Sequence, residues 1–187
     1  MSSIDYNSNW RKVASTIYKK PTDSKIYGTV EIDVTDLEKY TTLFASPEQP
    51  GIGRLMDGSP GWFSYKIDCM KLKAYRLDDS YAQITTGTES ALFAELENAY
   101  NNGQPILIYF TEPTWPKAKF DLQQLEEPDF SPECWQNDEA CAFPSSETRI
   151  VTASDFPQRT PEVAEFLSKF SMDSDDISQL LLTMKEN

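Results

Sequence analysis

A chain of 187 residues with 39% apolar and 12% aromatic side chains is long enough to bury one domain-sized core, and no apolar run approaches the roughly 20 residues that a membrane span requires. Its net charge of −13 is uneven: residues 1–120 carry 13 basic and 15 acidic groups, residues 121–187 carry 4 and 15. Nucleic acid and anionic membrane surfaces, which draw affinity from clustered Lys and Arg, are thereby excluded as expected partners, and the acidity itself speaks to solubility.

Residues 1–24 are polar and aperiodic, with Pro21 as punctuation, and read as a lead-in or linker. Residues 25–187 read as a single α/β lobe. Ile26 to Val34 alternates as a strand does, and Thr35-Asp36-Leu37-Glu38 has the form of a capping box that opens a helix with Leu37, Tyr40, Leu43 and Phe44 as its apolar stripe. A helix over about 65–76 places Ile67, Met70 and Ala74 on one face. Tyr81 to Thr85 reads as a strand. Thr88 caps a helix whose Leu92, Leu96, Ala99 and Tyr100 face inward, and Asn102-Gly103 ends it with a residue tolerant of positive φ.

The run 105–110 is apolar throughout, as a strand buried on both faces must be. Ile150 to Ala153 reads as a further short strand. Thr160-Pro161-Glu162 starts a helix with Pro where its missing N–H costs nothing, its buried face being Val163, Phe166, Leu167 and Phe170. Ser174-Asp175-Asp176 then caps a last helix carrying Ile177, Leu180, Leu181 and Met184. Helices alternating with strands imply a three-layer α/β sandwich.

Much chemistry is missing. The absence of histidine removes the commonest general base and metal ligand. Cys69, Cys134 and Cys141 are too few and too irregular for a thiolate zinc site. Gly51-Ile52-Gly53 lacks the third glycine of a dinucleotide fingerprint, and no Walker lysine motif occurs. Asp173-Ser174-Asp175-Asp176 lacks the glycine and distal glutamate of an EF-hand loop and reads as a helix cap. With only carboxylates and Tyr left as acid–base groups, no enzyme, metal or cofactor is expected. Cys134 and Cys141 enclose six residues of polar loop. They are expected to form a disulfide of about 2 kcal/mol if the compartment is oxidising, the alternative being two reduced thiols.

Two segments carry a family resemblance: Ser59-Pro60-Gly61-Trp62, opening a helix, and the run from Gln104 to Phe110 that continues through Thr111-Glu112-Pro113-Thr114-Trp115. In this order they resemble the glycine-betaine-binding subunits of osmoprotectant ABC importers. Thr42-Leu43-Phe44, Asp57-Gly58, Lys73-Ala74-Tyr75-Arg76-Leu77, Phe120-Asp121-Leu122 and Ile150-Val151-Thr152-Ala153 extend the likeness over roughly residues 36–187.

The resemblance implies one lobe of a periplasmic-binding-protein fold of type II, recognising glycine betaine, proline betaine or choline. An indole face attracts a quaternary ammonium by about 2 kcal/mol when both are dry, which makes Trp62 the first candidate. Amides around Phe63, Ser64 and Tyr65 would receive a carboxylate at a helix N-terminus. From residue type alone Trp62 packs into the core just as well. The resemblance implies that the segment from Tyr109 through Thr111, Glu112 and Trp115 lines the same cleft. Thr111 stands where the family usually has tryptophan, so that side of the cleft relies on Tyr109, Phe110 or Trp115. Glu112 would suit a cation without its own carboxylate, such as choline.

The implied partners are a first lobe, outside this sequence, and a membrane permease. The implied location is extracytoplasmic, although Met1-Ser2-Ser3-Ile4-Asp5-Tyr6 has neither the basic nor the apolar region of a secretory signal. The rival function is a derived lobe whose acidic C-terminal third serves as a protein-interaction module.

Overall fold

The computed structural model describes residues 14–18, 33–145 and 149–187. They fall into two compact units, a sheet unit within 13–111 and 120–144 and a helical unit within 112–119 and 145–187. Of the lead-in expected over 1–24, residues 14–18 form a strand paired with residues 107–110 and 122–124 rather than an aperiodic linker, while the rest of it and most of the strand expected over 26–34 lie outside the described residues.

In the sheet unit six strands form one mixed sheet among the described residues. Numbered in chain order they are β1 (Ala14–Tyr18), β2 (Ala45–Ser46), β3 (Gln49–Asp57), β4 (Tyr81–Thr85), β5 (Leu107–Phe110) and β6 (Leu122–Gln124). β3 runs parallel to β4, from Gly53 opposite Tyr81 to Asp57 opposite Thr85, and parallel to β5, with Leu55 opposite Leu107. β1 pairs antiparallel with β5 and β6, and β2 folds back on β3. All four side chains of β5 are buried, as its apolar run requires, but only one of its neighbours is parallel.

Side-chain alternation sorts the core into two sides. Leu55 and Leu107 point toward Leu72 of α2 (Phe63–Ala74), toward Val34 and Leu37 of a 3-10 helix (Val34–Tyr40), and toward Phe44 at the end of α1 (Thr41–Phe44). Phe110 points the other way, to Phe93 of α3 (Glu89–Asn101), with ring centroids 6.0 Å apart. Leu92, Leu96 and Ala99 of α3 are buried too. Each such Leu stabilises the fold by about 1.5–3 kcal/mol. The expected cap holds: Thr88 Oγ1 accepts the Ala91 N–H at 3.1 Å, and Gly103 ends α3 at φ +61°.

Other local expectations are corrected. The capping residue before the 3-10 helix is Asp33, whose carboxylate accepts the Thr35 N–H at 2.8 Å, one residue pair earlier than the Thr35–Glu38 box. β3 was hidden by Pro50, Gly51 and Gly53. Gly53 is required there, since a Cβ would sit 2.3 Å from the Tyr81 ring. Met70 is exposed, because the inner face of α2 is Ser64, Ile67, Asp68, Lys71 and Leu72.

The helical unit contains α4 (Trp115–Lys119), α6 (Phe156–Arg159), α7 (Pro161–Lys169) and α8 (Ser174–Glu186), α5 (Pro132–Asn137) belonging to the sheet unit. Residues 150–153, expected as a short strand, form no strand in the structure. Asp173, not Ser174, caps α8 by accepting the Asp176 N–H at 2.7 Å. The apolar faces expected to be buried are exposed at Val163, Phe166 and Phe170 and at Leu180, Leu181 and Met184. Ser178 and Leu182 are the residues of α8 that pack inward.

Candidate ligand site

The site begins where β3 ends. After Asp57 and Gly58 the chain turns through Ser59-Pro60-Gly61, held by the Trp62 N–H donating to the Ser59 carbonyl at 2.9 Å and by the Gly61 N–H donating to Ser59 Oγ at 3.3 Å. Trp62 then stands as the last extended residue before α2, with φ −76° and ψ 146°, and no side chain caps the helix. Its first amides therefore lack intrahelical partners and face outward with the positive end of the helix dipole, which is where an anion is stabilised.

The indole is fixed from two sides. It lies directly on the Gly58 backbone, so close that a Cβ at Gly58 would be 2.3 Å from Cε3 and Cζ3. It also meets the Tyr109 ring edge-on, with centroids 6.3 Å apart at 61°. Tyr109 in turn touches Phe143 (6.4 Å), Phe143 touches Trp135 (5.4 Å), and Trp135 touches Phe130 (5.9 Å), a line of aromatics within the sheet unit. Trp62 itself is half-buried, with part of its surface open. Burial pushes the Tyr109 phenol up to about 12, with Ser64 beside it opposing part of that shift. Ser64 Oγ is buried and has no hydrogen-bond partner of good geometry.

Beneath this surface lies a buried polar network. Asp57 is fully buried: Oδ1 accepts the Gly58 N–H at 2.6 Å and Oδ2 accepts Gln83 Nε2 at 2.7 Å. The same Gln83 nitrogen reaches the Tyr65 carbonyl in the first turn of α2 at 2.9 Å. Asp68, 3% exposed, is buried as well, and its Oδ2 has no partner. One turn further, Lys71 Nζ donates to both oxygens of Glu127 at 2.7 and 2.9 Å and sits 4.4 Å from the Phe143 ring centre. Burial outweighs these contacts: Asp57, Asp68 and Glu127 all titrate above the usual carboxylate range, Asp68 well above it with the Asp57 charge as a second cause.

Of the residues expected at the site, Trp62, Ser64 and Tyr109 come together here. Phe63 turns its ring into solvent, 68% exposed, away from the Trp62–Tyr109 pair expected to line the site with it. Thr111, half-buried, is the last residue of the sheet unit before the chain enters the helical one. Glu112 and Trp115 belong to the helical unit, where Glu112 pairs with Lys117 at 2.7 Å and the Trp115 ring has Lys119 and Lys185 ammonium groups 5.5 and 5.3 Å from its centre.

The expected Cys134–Cys141 disulfide is not formed: Cys69, Cys134 and Cys141 are free. Cys134 is half-buried and Cys141 fully buried, and burial, with Cys141 as a further cause, raises the Cys134 thiol to about 11. Sequence reasoning gave no role to Asp57, Gly58, Gln83 or Phe143. The pairing of Asp57-Gly58 just ahead of the P-G-W turn was the one available signal.

The uncapped start of α2 thus stands beside an aromatic floor, on a sheet with helices packed against both of its faces. Residues 31–187 match the substrate binding domain of ABC-type glycine betaine transport systems, and the chain belongs to that family. It is 24% identical over 116 residues to the glycine betaine/carnitine transport binding protein GbuC of Listeria monocytogenes serotype 1/2a (strain 10403S), covering 62% of this chain and 35% of that protein. Its fold, that of type II periplasmic binding proteins, is shared with lactococcal OpuAC in a closed-liganded complex with glycine betaine (TM-score 0.63, 16% identity, 100% of this chain and 62% of the other). It is shared also with the ProX protein of Borrelia burgdorferi (TM-score 0.59, 13% identity, 98% and 60%) and with an ABC-transporter choline-binding protein complexed with choline (TM-score 0.57, 16% identity, 100% and 59%). The chain thus spans about a third of the curated relative and about three-fifths of each solved structure. No helix among the described residues is long and apolar enough to cross a membrane.

Proposed function

We propose that this chain is a non-enzymatic binding lobe for a quaternary ammonium compound, glycine betaine, proline betaine or choline, in an ABC-type uptake system outside the cytoplasm, acting with a further lobe and a membrane permease. The observation that carries the reading is the Trp62 indole, held on Gly58 beside Tyr109 at the uncapped start of α2. One end of a betaine would meet an aromatic face, the other the amides of Phe63, Ser64 and Tyr65. Tyr109 supplies a second aromatic surface. Glu112 and Trp115 belong to the helical unit, where a ligand would have to displace the Lys117 partner of the one or the Lys119 and Lys185 partners of the other.

Affinity is expected to be modest. A half-enclosed ammonium stays partly hydrated, which holds a cation–π contact to about 0.5–1 kcal/mol, and a millimolar Kd corresponds to only about −4 kcal/mol. The test is calorimetric or NMR titration of the full chain with glycine betaine and choline beside Trp62→Ala. Millimolar binding that the substitution abolishes supports the reading. Binding that survives it, or none by wild type at tens of millimolar, returns the chain to the rival role of an acidic interaction module, with Phe166 and Met184 on the exposed apolar faces of the helical unit as its contact residues.

A further inference from the structure

On the side of the sheet that meets α3, a cavity of about 420 Å³ opens between the β2–β3 hairpin, α3 and the chain entering β5. Alternation along β3 sends Arg54 and Met56 to this side, because Leu55 between them points toward α2. The register that sets Leu55 opposite Leu107 brings Ile106 alongside Arg54. From above, α3 contributes Glu95, Asn98 and Ala99, whose i, i+3, i+4 spacing keeps them on one side of the helix. Met56, Ala99 and Ile106, each 7% exposed, make an apolar floor. The volume falls in the range of about 300–1,000 Å³ typical of small-molecule pockets, and none of the lining residues belongs to the Trp62 site.

Around that floor the rim carries charge of both signs. Arg54 is the single basic residue of the lining, while Glu95 and Glu48, the latter in the turn between β2 and β3, supply carboxylates. Among the described residues, no hydrogen bond or salt bridge engages the Arg54 guanidinium, the Glu95 carboxylate or the Gln104 side-chain amide. A guanidinium fork matches a carboxylate, and a carboxylate accepts the N–H groups of a primary ammonium. An apolar floor takes a short hydrocarbon chain. A free α-amino acid with an apolar side chain meets all three conditions at once, whereas a betaine has no N–H to give Glu95. We propose that this cavity is a second small-molecule site, which takes such an amino acid with its carboxylate on Arg54, its ammonium on Glu95 and its side chain on Met56, Ala99 and Ile106. The site stands apart from the ligand reading of Trp62 and does not depend on it.

The experiment is an NMR titration of the full chain, labelled at its Met and Ile methyl groups, with L-leucine, L-valine and L-methionine. Two half-ligands run beside them: 4-methylpentanoate, which lacks the ammonium, and 3-methylbutylamine, which lacks the carboxylate. The Met56 and Ile106 methyl signals, assigned with Met56→Leu and Ile106→Val, should move saturably with the amino acids. Each half-ligand should bind about tenfold more weakly than L-leucine, the effect of one lost hydrogen bond to a charged group. Arg54→Ala should weaken the amino acids by a similar factor and abolish the response to 4-methylpentanoate, and Glu95→Gln should do the same to the amino acids and to 3-methylbutylamine. Both side chains are exposed, so both variants should fold and keep the wild-type Trp62 indole signal and its response to glycine betaine. Methyl signals of Met56 and Ile106 that stay still with all three amino acids at tens of millimolar, or that move as far in Arg54→Ala as in wild type, overturn the site. Equal affinity for L-leucine and 4-methylpentanoate, or an L-leucine affinity unchanged in Glu95→Gln, overturns the amino-acid assignment.

Discussion

Replacing Lys71 by Met is the sharpest probe of what holds the sheet unit together. The ammonium bonds to both Glu127 oxygens, and each side chain is 8% exposed. Removing it strands Glu127, with Asp68 close by, in a region where burial already raises both carboxyls. Breaking a buried pair from one side costs about 3–5 kcal/mol, a large part of the roughly 5–15 kcal/mol that stabilises a typical protein. For a chain of this length that lowers Tm by about 10 °C.

The cost has an escape route, since a stranded carboxyl can take up a proton. The deficit of K71M should therefore be full at pH 8 and shrink by pH 5.5. K71M/E127L, with no charge left at either position, should recover most of the loss, because a buried pair exchanged for apolar groups is often near neutral. Thermal melts of wild type, both single variants and the double at the two pH values complete the cycle. A K71M deficit under about 1 kcal/mol at pH 8, or a double variant no more stable than the single, refutes the reasoning.

Three further outcomes follow from the same structure. Asp57, Asp68, Glu127 and Glu139 all have folded pKa values raised by burial, so the folded state holds their protons more tightly than the unfolded chain. Stability should rise as the pH falls from 8 toward about 5 and be lost as it climbs through those raised values, and a Tm highest at pH 8 would contradict this. Gly58→Ala should drive the indole off its seat, shift the Trp62 indole N–H signal and weaken betaine binding about tenfold or more, whereas Gly61→Ala, whose nearest contact is Ser59 Oγ at 3.7 Å, should leave that signal in place. Thiol titration of unfolded protein kept from air should give three thiols, and Cys134, at about 11, should alkylate slowly at pH 8 in the native state, rapid modification there speaking against its burial.

Legibility of the fold followed the hydrophobic pattern wherever that pattern decided the packing. α3, with Thr88 capping it and Leu92 and Leu96 inward, and the apolar β5 were readable because burial, propensity and caps agreed. α2 was harder. Its inward face carries Ser64, Asp68 and Lys71 in step with Ile67, so a search for apolar period chose Met70, which is exposed. β3 was masked by Gly53, whose missing side chain admits the Tyr81 ring. On α7 and α8 the apolar stripes were real, but their burial needs a partner, and none among the described residues covers Phe166 or Met184. At the site, Trp62 and Tyr109 were named from sequence, while the brace under them was not, because hydrogen bonds spanning 26 residues between Asp57 and Gln83 leave no local signal.

The most direct test of the account is an intermolecular NOE measurement on the full chain with glycine betaine at millimolar excess. The N-methyl protons should give cross-peaks to the Trp62 indole and the Tyr109 ring. Those to Trp62 should vanish in Trp62→Ala together with the titration response. Methyl cross-peaks confined to other aromatics, with Trp62 silent while ligand binds, would contradict the site.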